Sequence, residues 1–319
     1  MMKLGEIHKL AIELGIKSDP RGEEGVKKYL KKIKQDFDKM DKQSKEEFDS
    51  ELLFNPYSDT RILYGDKNLD IKKVMAGWDI GVSEILLADR LNQKKEKIDL
   101  IISHHPLGKA SATIHHVIHI EEAVLHNAGV PINIAEGLCS LRIPKVQRSN
   151  FSYNHEREVH AARILDIPLM CIHTAADNLV QKYIEDLIKK HKPSKVGELF
   201  DLIKSIPEYK MATENFNPPV ILSGKESGST GKIIVDMTAG VAMGKDIYPK
   251  LANFGVGTIV NMHTNEEELN AAMENYINII MAGHSGSDSL GMNLFLDELE
   301  KKGIEILPCS GLLRYSRIK

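Results

Sequence analysis

The sequence predicts an α/β protein, because apolar strand-like segments alternate with amphipathic helical segments along most of the chain. Around residues 74–103, a strand, a helix and a second strand follow one another, which indicates a parallel pair joined by a right-handed crossover. The length of 319 residues exceeds the usual size of one domain. We therefore expect two α/β lobes with mixed sheets flanked by helices.

Composition and charge argue against several classes of protein. The chain is 42% hydrophobic and 27% charged, and its formal net charge of −3 gives no general attraction to nucleic acid. No apolar run approaches the roughly 20 residues that span a bilayer, and the first residues lack the apolar core of a signal peptide. Three cysteines without a Cys-x-x-Cys pair indicate a reducing compartment. We expect a cytoplasmic protein with neither a membrane nor a nucleic-acid partner.

Residues 1–54 are predicted to form a helical N-terminal extension. Apolar residues repeat there at helical spacings, first as Ile7, Leu10 and Leu14, then as Val26, Leu30, Ile33, Phe37 and Met40. The lysines of the second helix are interpreted as a solvated face, because acidic residues follow at once and no aromatic platform for nucleic acid is interleaved.

From Asn55 onward, strands and helices are predicted to alternate. Strands are expected at 62–64, 74–78, 98–103, 130–134, 169–173, 232–236, 258–262, 279–282 and 304–308. Helices are expected at 82–91, 115–127, 156–165, 181–191, 246–254, 266–275 and 292–301. The stretch 215–231, rich in Gly, Pro, Asn and Ser, is predicted to link the lobes, which gives domains 1–54, 55–214 and 215–319.

Three segments place metal-type ligands directly after an apolar strand. They are His104-His105-Pro106, His173-Thr174-Ala175-Ala176-Asp177 and His284-Ser285-Gly286-Ser287-Asp288. Because the carboxyl ends of parallel strands share one edge of a sheet, the three segments can converge there. Imidazole and carboxylate ligands suit Zn²⁺, Fe²⁺ or Mn²⁺. The sequence therefore predicts a divalent metal site at this edge.

Two adjacent histidines indicate two ions. On an extended chain His104 and His105 would point to opposite faces, so they are expected to serve separate ions. A carboxylate between two ions offsets their repulsion, and Asp177 is the candidate bridge. Each motif also has a simpler interpretation: a turn for the His-His-Pro segment, a helix cap for Asp177 or Asp288, and a phosphate cradle of backbone N–H groups for 283–287.

The same segments resemble the signature motifs of the Nif-three-like proteins, also called type 2 GTP cyclohydrolase I homologues. Residues 99–106 resemble the DLIIxHHP motif, 173–178 the HTxxD motif, and 282–288 the GHxxxE motif, with Asp288 in place of Glu. The resemblance covers residues 55–312. It implies hexamers with a dinuclear metal site between two α/β lobes of each subunit. The implied ligands are His104, His105, Asp177, His284 and Asp288.

The remaining histidines and acids each have two interpretations. His263 follows another strand and is either a ligand or general acid/base, or a hydrogen-bonded loop residue. His173 would orient the site or bind a metal. Asp59 and Asp79 would hold imidazole tautomers, although a helix cap is the favoured role of Asp79. A further group on a predicted helix is expected to line the cavity or lie on the surface: His115, His116 and His119.

The favoured function is a metal-dependent hydrolase that acts on a small molecule. Two ions would acidify a bound water and polarise the substrate. The family name implies a purine nucleotide, as in GTP cyclohydrolase, and the same ions would suit a phosphoester. The alternative is a metal-binding regulatory or interaction protein without turnover, because the family's name records a partnership with a transcriptional adaptor.

Overall fold

The computed structural model describes residues 1–239 and 243–318. The strands are β1 (Met2–Lys3), β2 (Arg61–Tyr64), β3 (Asp70–Ile71), β4 (Lys73–Gly77), β5 (Leu100–Ser103), β6 (Leu169–Cys171), β7 (Val220–Ser223), β8 (Lys232–Asp236), β9 (Val256–Asn261), β10 (Asn278–Met281) and β11 (Glu305–Pro308). The α-helices are α1 (Leu4–Lys17), α2 (Gly22–Lys39), α3 (Lys42–Glu47), α4 (Val82–Gln93), α5 (Gly108–Ala112), α6 (His119–Asn127), α7 (Ile132–Asn150), α8 (Arg157–Ile164), α9 (Thr174–His191), α10 (Val196–Lys204), α11 (Pro207–Glu214), α12 (Tyr248–Asn253), α13 (Glu266–Glu274) and α14 (His284–Glu300). None of these described helices is long and apolar enough to cross a membrane.

Two sheets carry the fold. In the first sheet the strand order is β11-β4-β5-β6-β2, and all neighbours are parallel except the edge strand β2. In the second sheet the order is β7-β10-β9-β8, and all neighbours are parallel except the edge strand β7. A separate two-stranded sheet joins β1 to β3. The predicted α/β class with mixed sheets flanked by helices is confirmed.

Burial on both faces explains the composition of the central strands. Every residue of β5 (Leu-Ile-Ile-Ser) and of β6 (Leu-Met-Cys) is buried. A strand with helices on both faces has no solvated side, so it is apolar throughout instead of alternating. In the first sheet, α1, α9 and α14 cover one face, and α4 and α8 cover the other.

The helices α9 and α14 contribute to the cores of both sheets. Ala176 and Met292 pack in the core of the first sheet, whereas Val180 and Leu290 pack in that of the second. The two helices also contact each other directly, and a Cβ added to Gly291 would lie 2.6 Å from the carbonyl oxygen of Ala176. The middle of the molecule is therefore a closely packed helix pair that both sheets share.

The N-terminal helices are present as predicted, but α1 belongs to the main core. It buries Leu4, Ile7 and Ala11 against the first sheet and packs on α9. Gly15 allows this approach, because a Cβ at that position would lie 2.8 Å from the Tyr57 ring. The apolar face that the sequence spacing reveals is thus covered by the sheet-bearing part of the chain.

The strand predicted at 130–134 is wrong. Ile132 begins the 19-residue helix α7, and Pro131 immediately precedes it. Proline has no N–H to donate to a strand ladder, and its fixed φ suits the start of a helix. A short apolar run does not distinguish a strand from a buried helix segment by spacing alone. Ala135 and Cys139 of this helix pack in a core that includes residues of the second sheet.

The chain crosses between the two sheets more often than the predicted linker implies. The stretch 215–231 contains the edge strand β7, and after β10 the chain returns to the first sheet, where β11 pairs with β4. Helices α6 and α7, which precede residue 215, pack on the second sheet. The first sheet is therefore built from separate stretches of chain, and the second sheet is covered by helices from outside its own stretch. The domain limits 55–214 and 215–319 stay a prediction.

Candidate metal centre

The three sequence motifs converge on one pocket where β5, β6 and β10 end and where α9 and α14 begin. The pocket encloses a cavity of about 40 Å³. Its polar lining residues are His104, His105, His173, Asp177, Asp236, Thr238, Asn261, His263, His284 and Asp288. The structure therefore brings all five predicted ligands together, along with both histidines that the sequence leaves as alternatives.

His104 lies in the middle of this group and is almost fully buried. Its Nδ1 is 2.9 Å from the backbone oxygen of Ile172, which can only accept, so Nδ1 donates and Nε2 keeps its lone pair. Nε2 lies 3.4 Å from Asp177 Oδ1 and 3.6 Å from Asp288 Oδ1. A backbone carbonyl on one nitrogen and a free second nitrogen are typical of a metal-binding imidazole.

His105 is oriented by a carboxylate outside the pocket. Its Nδ1 lies 2.6 Å from Asp79 Oδ1, and its Nε2 lies 3.3 Å from Asp288 Oδ2. Burial lowers the pKa of His105, but Asp288 and Asp79 outweigh it and the pKa is raised. The helix cap favoured for Asp79 is wrong, because α4 has Gly81 as its N-cap residue. Asp79 instead holds the imidazole, which is the alternative interpretation.

His173 is held in the same way by Asp59, which is fully buried. The Nδ1 of His173 lies 2.9 Å from Asp59 Oδ2, and the Thr174 hydroxyl donates to the same oxygen at 2.6 Å. Its Nε2 faces Asp177 Oδ2 at 3.9 Å. Burial lowers the pKa of His173, but Asp177 and Asp59 raise it to about 9. The carboxylates on both sides thus keep this ring fixed and aimed at the pocket.

Asp177 and Asp288 face these imidazoles from the two central helices. Both are buried, and the Oδ1 atom of each has no hydrogen-bond partner among the described residues. Burial raises the pKa of Asp177. Burial acts on Asp288 as well, but three facing imidazoles outweigh it and hold its pKa well below the usual range. An unpaired buried carboxylate oxygen costs free energy, so both atoms fit a cation placed between them and the rings.

Two details of the predicted site are wrong. His104 and His105 do not diverge: the Nε2 atoms of both face Asp288, because β5 ends at Ser103 and the chain bends there. The simpler interpretation of Asp288 as a helix cap is wrong as well, because α14 begins at His284. Asp288 therefore lies one turn inside the helix, where its carboxylate is free to face the pocket.

His284 and His263 approach the centre from the second sheet. His284 Nδ1 lies 3.3 Å from Asp288 Oδ2, and its ring stacks on that of His263 with the centroids 4.9 Å apart. Burial lowers the pKa of His263, and the adjacent His284 lowers it further, so the ring of His263 is held neutral. The helical histidines do not line this pocket: His116 and His119 line a groove beside α2, and His115 contacts His116.

Two sets of three side chains have the spacing that a metal ion requires. The ligand atoms of His104, His105 and Asp288 lie within 4.8 Å of one another, and so do those of His104, His173 and Asp177. These buried groups could hold a metal ion. The second set includes His173, which the sequence leaves as an alternative to the five motif ligands.

Asp236 and Asn261 line the pocket but are not among the predicted site residues. They are the last residues of β8 and β9. The signal that reveals the other segments, a polar residue where an apolar strand ends, is present at both positions. The predicted strand 232–236 even ends at Asp236, so the same rule applied to every strand would have found it.

The fold is similar to that of two solved structures. A NIF3 superfamily protein from Sphaerobacter thermophilus matches with a TM-score of 0.76 and 23% identity, over 98% of this chain and 99% of that chain. Reduced HcgD from Methanocaldococcus jannaschii matches with a TM-score of 0.52 and 17% identity, over 84% of this chain and 97% of that chain. No protein-family model matches the sequence, and no curated protein does.

These matches confirm the predicted resemblance at the level of the fold. The first match extends over nearly the whole chain and thus includes the N-terminal helices. The limits 55–312 predicted for the resemblance are therefore too narrow. The short motifs mark only the part of the fold that carries recognisable ligands, whereas helix α1 is an ordinary amphipathic segment in sequence.

Proposed function

We propose that this chain, which has the fold of the NIF3 superfamily protein that it matches, is a metal-dependent hydrolase of that superfamily. One observation carries the proposal: Asp177 Oδ1 and Asp288 Oδ1 are buried, lack a hydrogen-bond partner among the described residues, and face the free Nε2 of His104. Buried charges of this kind are paired or bind metals. The motif resemblance supports the same assignment.

The ligand set favours two divalent ions. His104 belongs to both three-residue sets, but its single free nitrogen offers one lone pair and binds one ion only. The motif residues then offer three imidazoles and two carboxylates, and Asp177 is the candidate bridge. His173 is an additional donor beside it. This mixture of nitrogen and oxygen donors suits Zn²⁺, Fe²⁺ or Mn²⁺.

The chain's own groups prepare the pocket for hydrolysis. When bound, two ions would supply an acidified water and a Lewis acid. Asp79 and Asp59 keep the rings of His105 and His173 in one tautomer with Nε2 toward the pocket. His263 lines the pocket as a neutral imidazole, so its ring nitrogen is the candidate that accepts or returns a proton during turnover.

The pocket suits a small substrate that carries an oxyanion. The helices α9 and α14 both begin at the pocket, and the first-turn N–H groups of a helix favour an anion. We therefore keep a purine nucleotide or another phosphoester as the proposed substrate class. The hexamer and the cytoplasmic location stay predictions from the sequence.

Chelation followed by reconstitution tests this function. We expect stripped protein to lose hydrolysis of GTP or of a model phosphoester such as p-nitrophenyl phosphate, and added Mn²⁺ or Zn²⁺ to restore it. A pure, metal-loaded protein that is inert toward a whole nucleotide and phosphoester panel would contradict the hydrolase. Together with a tight protein partner, that result would favour the regulatory or interaction protein.

A further inference from the structure

Asp236 is an acid on the side of the pocket that is formed by the second sheet. It is the last residue of β8 and lines the same pocket as His104, Asp177 and Asp288. Its carboxyl group makes no hydrogen bond or ion pair with any residue in 1–239 or 243–318. A pocket-lining carboxyl group without a partner in this described part of the chain is available to a molecule that binds in the pocket.

The polar neighbours of Asp236 on this wall are already paired. The Thr238 hydroxyl donates to Asn178 Oδ1 at 2.6 Å, and Asn261 Nδ2 donates to the Thr264 hydroxyl at 2.9 Å. Both side chains therefore serve the protein's own hydrogen-bond network. Asp236 differs from them, because its carboxyl group has no hydrogen-bond partner among the described residues and is therefore available to a molecule in the pocket.

Three charged side chains lie close to Asp236: Glu121, Arg142 and Glu268. Glu121 pairs with Arg142, and Glu268 Oε1 accepts from the backbone N–H of Gly244 at 2.8 Å. Burial raises the pKa of Asp236, and Glu121 and Glu268 add to this effect more than Arg142 offsets it. The pKa of Asp236 therefore lies well above the usual range of a carboxyl group, which favours the protonated form that can donate a hydrogen bond.

We propose that Asp236 contacts the substrate and donates a hydrogen bond from its carboxyl group to an oxyanion, of the phosphate class, bound in the pocket. This inference rests on the proposed function, because the metal ions would hold the anion. The N-termini of α9 and α14 favour the same ligand charge. An ionised carboxylate at this position would repel such a ligand, whereas a neutral one attracts it.

Inorganic phosphate is the probe, titrated by calorimetry into the full-length, metal-loaded protein. We expect Asp236→Ala to weaken phosphate binding about 10-fold to 100-fold, the cost of one hydrogen bond to a charged group. Asp236→Asn should lose less, because its amide N–H still donates. Metal content should stay unchanged in both. Asp246→Ala, which removes an exposed acid beyond β8, is the control and should bind phosphate as the wild type does.

The direction of the change in phosphate affinity decides the test. Tighter phosphate binding by Asp236→Ala would overturn the inference, because it would reveal an ionised, repelling carboxylate. Unchanged affinity, lost metal in either Asp236 variant, or no phosphate binding by metal-loaded wild type would also overturn it. The proposed function fails separately, when metal-loaded wild type binds phosphate but hydrolyses nothing. Asp236→Asn keeps the size of the side chain, so the test holds even where the alanine variant does not fold.

Discussion

The two sheets contribute different kinds of side chain to one pocket. On the first-sheet side, the Nδ1 atoms of His104, His105 and His173 are each held by a fixed acceptor. On the second-sheet side, Asp236 has no partner among the described residues, and His263 only stacks on a neighbouring ring. The first wall therefore holds its metal-type donors in fixed orientations, whereas the second wall adds the predicted ligand His284 and leaves Asp236 and His263 for a substrate.

The support of the first wall extends into the N-terminal helices. Asn178, next to Asp177, donates to the backbone oxygen of Gly15 and to Tyr57 at 3.3 Å each. The Tyr57 hydroxyl in turn donates to Asp19 at 2.9 Å. Side chains locked by packing and by outer hydrogen bonds hold a metal-binding geometry better than mobile ones do. This difference teaches that the firmly supported metal donors lie mainly on the first wall, whereas the second wall adds His284 and the groups that are left for a substrate.

Removing both histidines of the first wall has the largest expected effect. His104→Ala combined with His105→Ala deletes two imidazoles from the centre, so we expect most bound metal to be lost while the fold persists. Elemental analysis of protein purified without chelator measures this. Trp78, the only tryptophan, packs 5.7 Å from the ring of His105 and should report metal binding by fluorescence. Metal content equal to that of a His119→Ala control would refute the site.

The next effect concerns Asp288, which replaces the family's usual Glu. Asp288→Asn keeps the shape but removes the charge that offsets the ion, so affinity should fall by more than about 100-fold, the upper end for outer partners. Asp288→Glu should keep or tighten binding, because the family motif has Glu there. Metal titrations compare the two variants. Equal affinity of Asp288→Asn and wild type would show that the carboxylate is structural.

A smaller effect on stability and metal binding is expected from a substitution between α9 and α14, the helices that join the two walls. In Gly291→Ala the new Cβ would lie 2.6 Å from the Ala176 carbonyl oxygen and force the helices apart. We expect a loss of about 1–3 kcal/mol in the free energy of unfolding, together with weaker metal binding, because Asp177 and Asp288 lie on these helices. Denaturant titration and metal titration measure the two effects.

The chain offers a matched control for this change. Gly137 lies inside the helix α7, and nothing lies within 4 Å of a Cβ added there. Gly137→Ala should stabilise by about 0.5–1 kcal/mol, because glycine loses more conformational freedom on folding. A Gly291→Ala variant that unfolds like Gly137→Ala and binds metal normally would show that the close helix contact does not position the site.

Much of the first wall could be predicted from the sequence, because its ligands follow apolar strands and the rule of a shared strand edge is local. Asp236 ends a predicted strand but is absent from the predicted site, because a single acid without a nearby histidine does not stand out as a ligand in sequence. The closeness of the two sheets depends on α9 and α14, whose packing involves residues far apart in the chain. The strand predicted at 130–134 failed for a related reason, since a short apolar run does not specify its partner.

The smallest expected effect tests whether the hydrogen-bond acceptors behind the histidine rings distinguish the first wall from the second. Asp79 is 68% exposed, so Asp79→Ala removes the acceptor of His105 Nδ1 without opening the core. The ring then loses its fixed tautomer, and we expect metal affinity to fall about 10-fold, the lower end for an outer partner. His263→Ala on the second wall removes no such support and should leave metal affinity unchanged. Metal titrations that give both variants the same affinity would contradict the difference between the walls. That result would mean either that Asp79 does not support His105 or that His263 is itself a metal ligand.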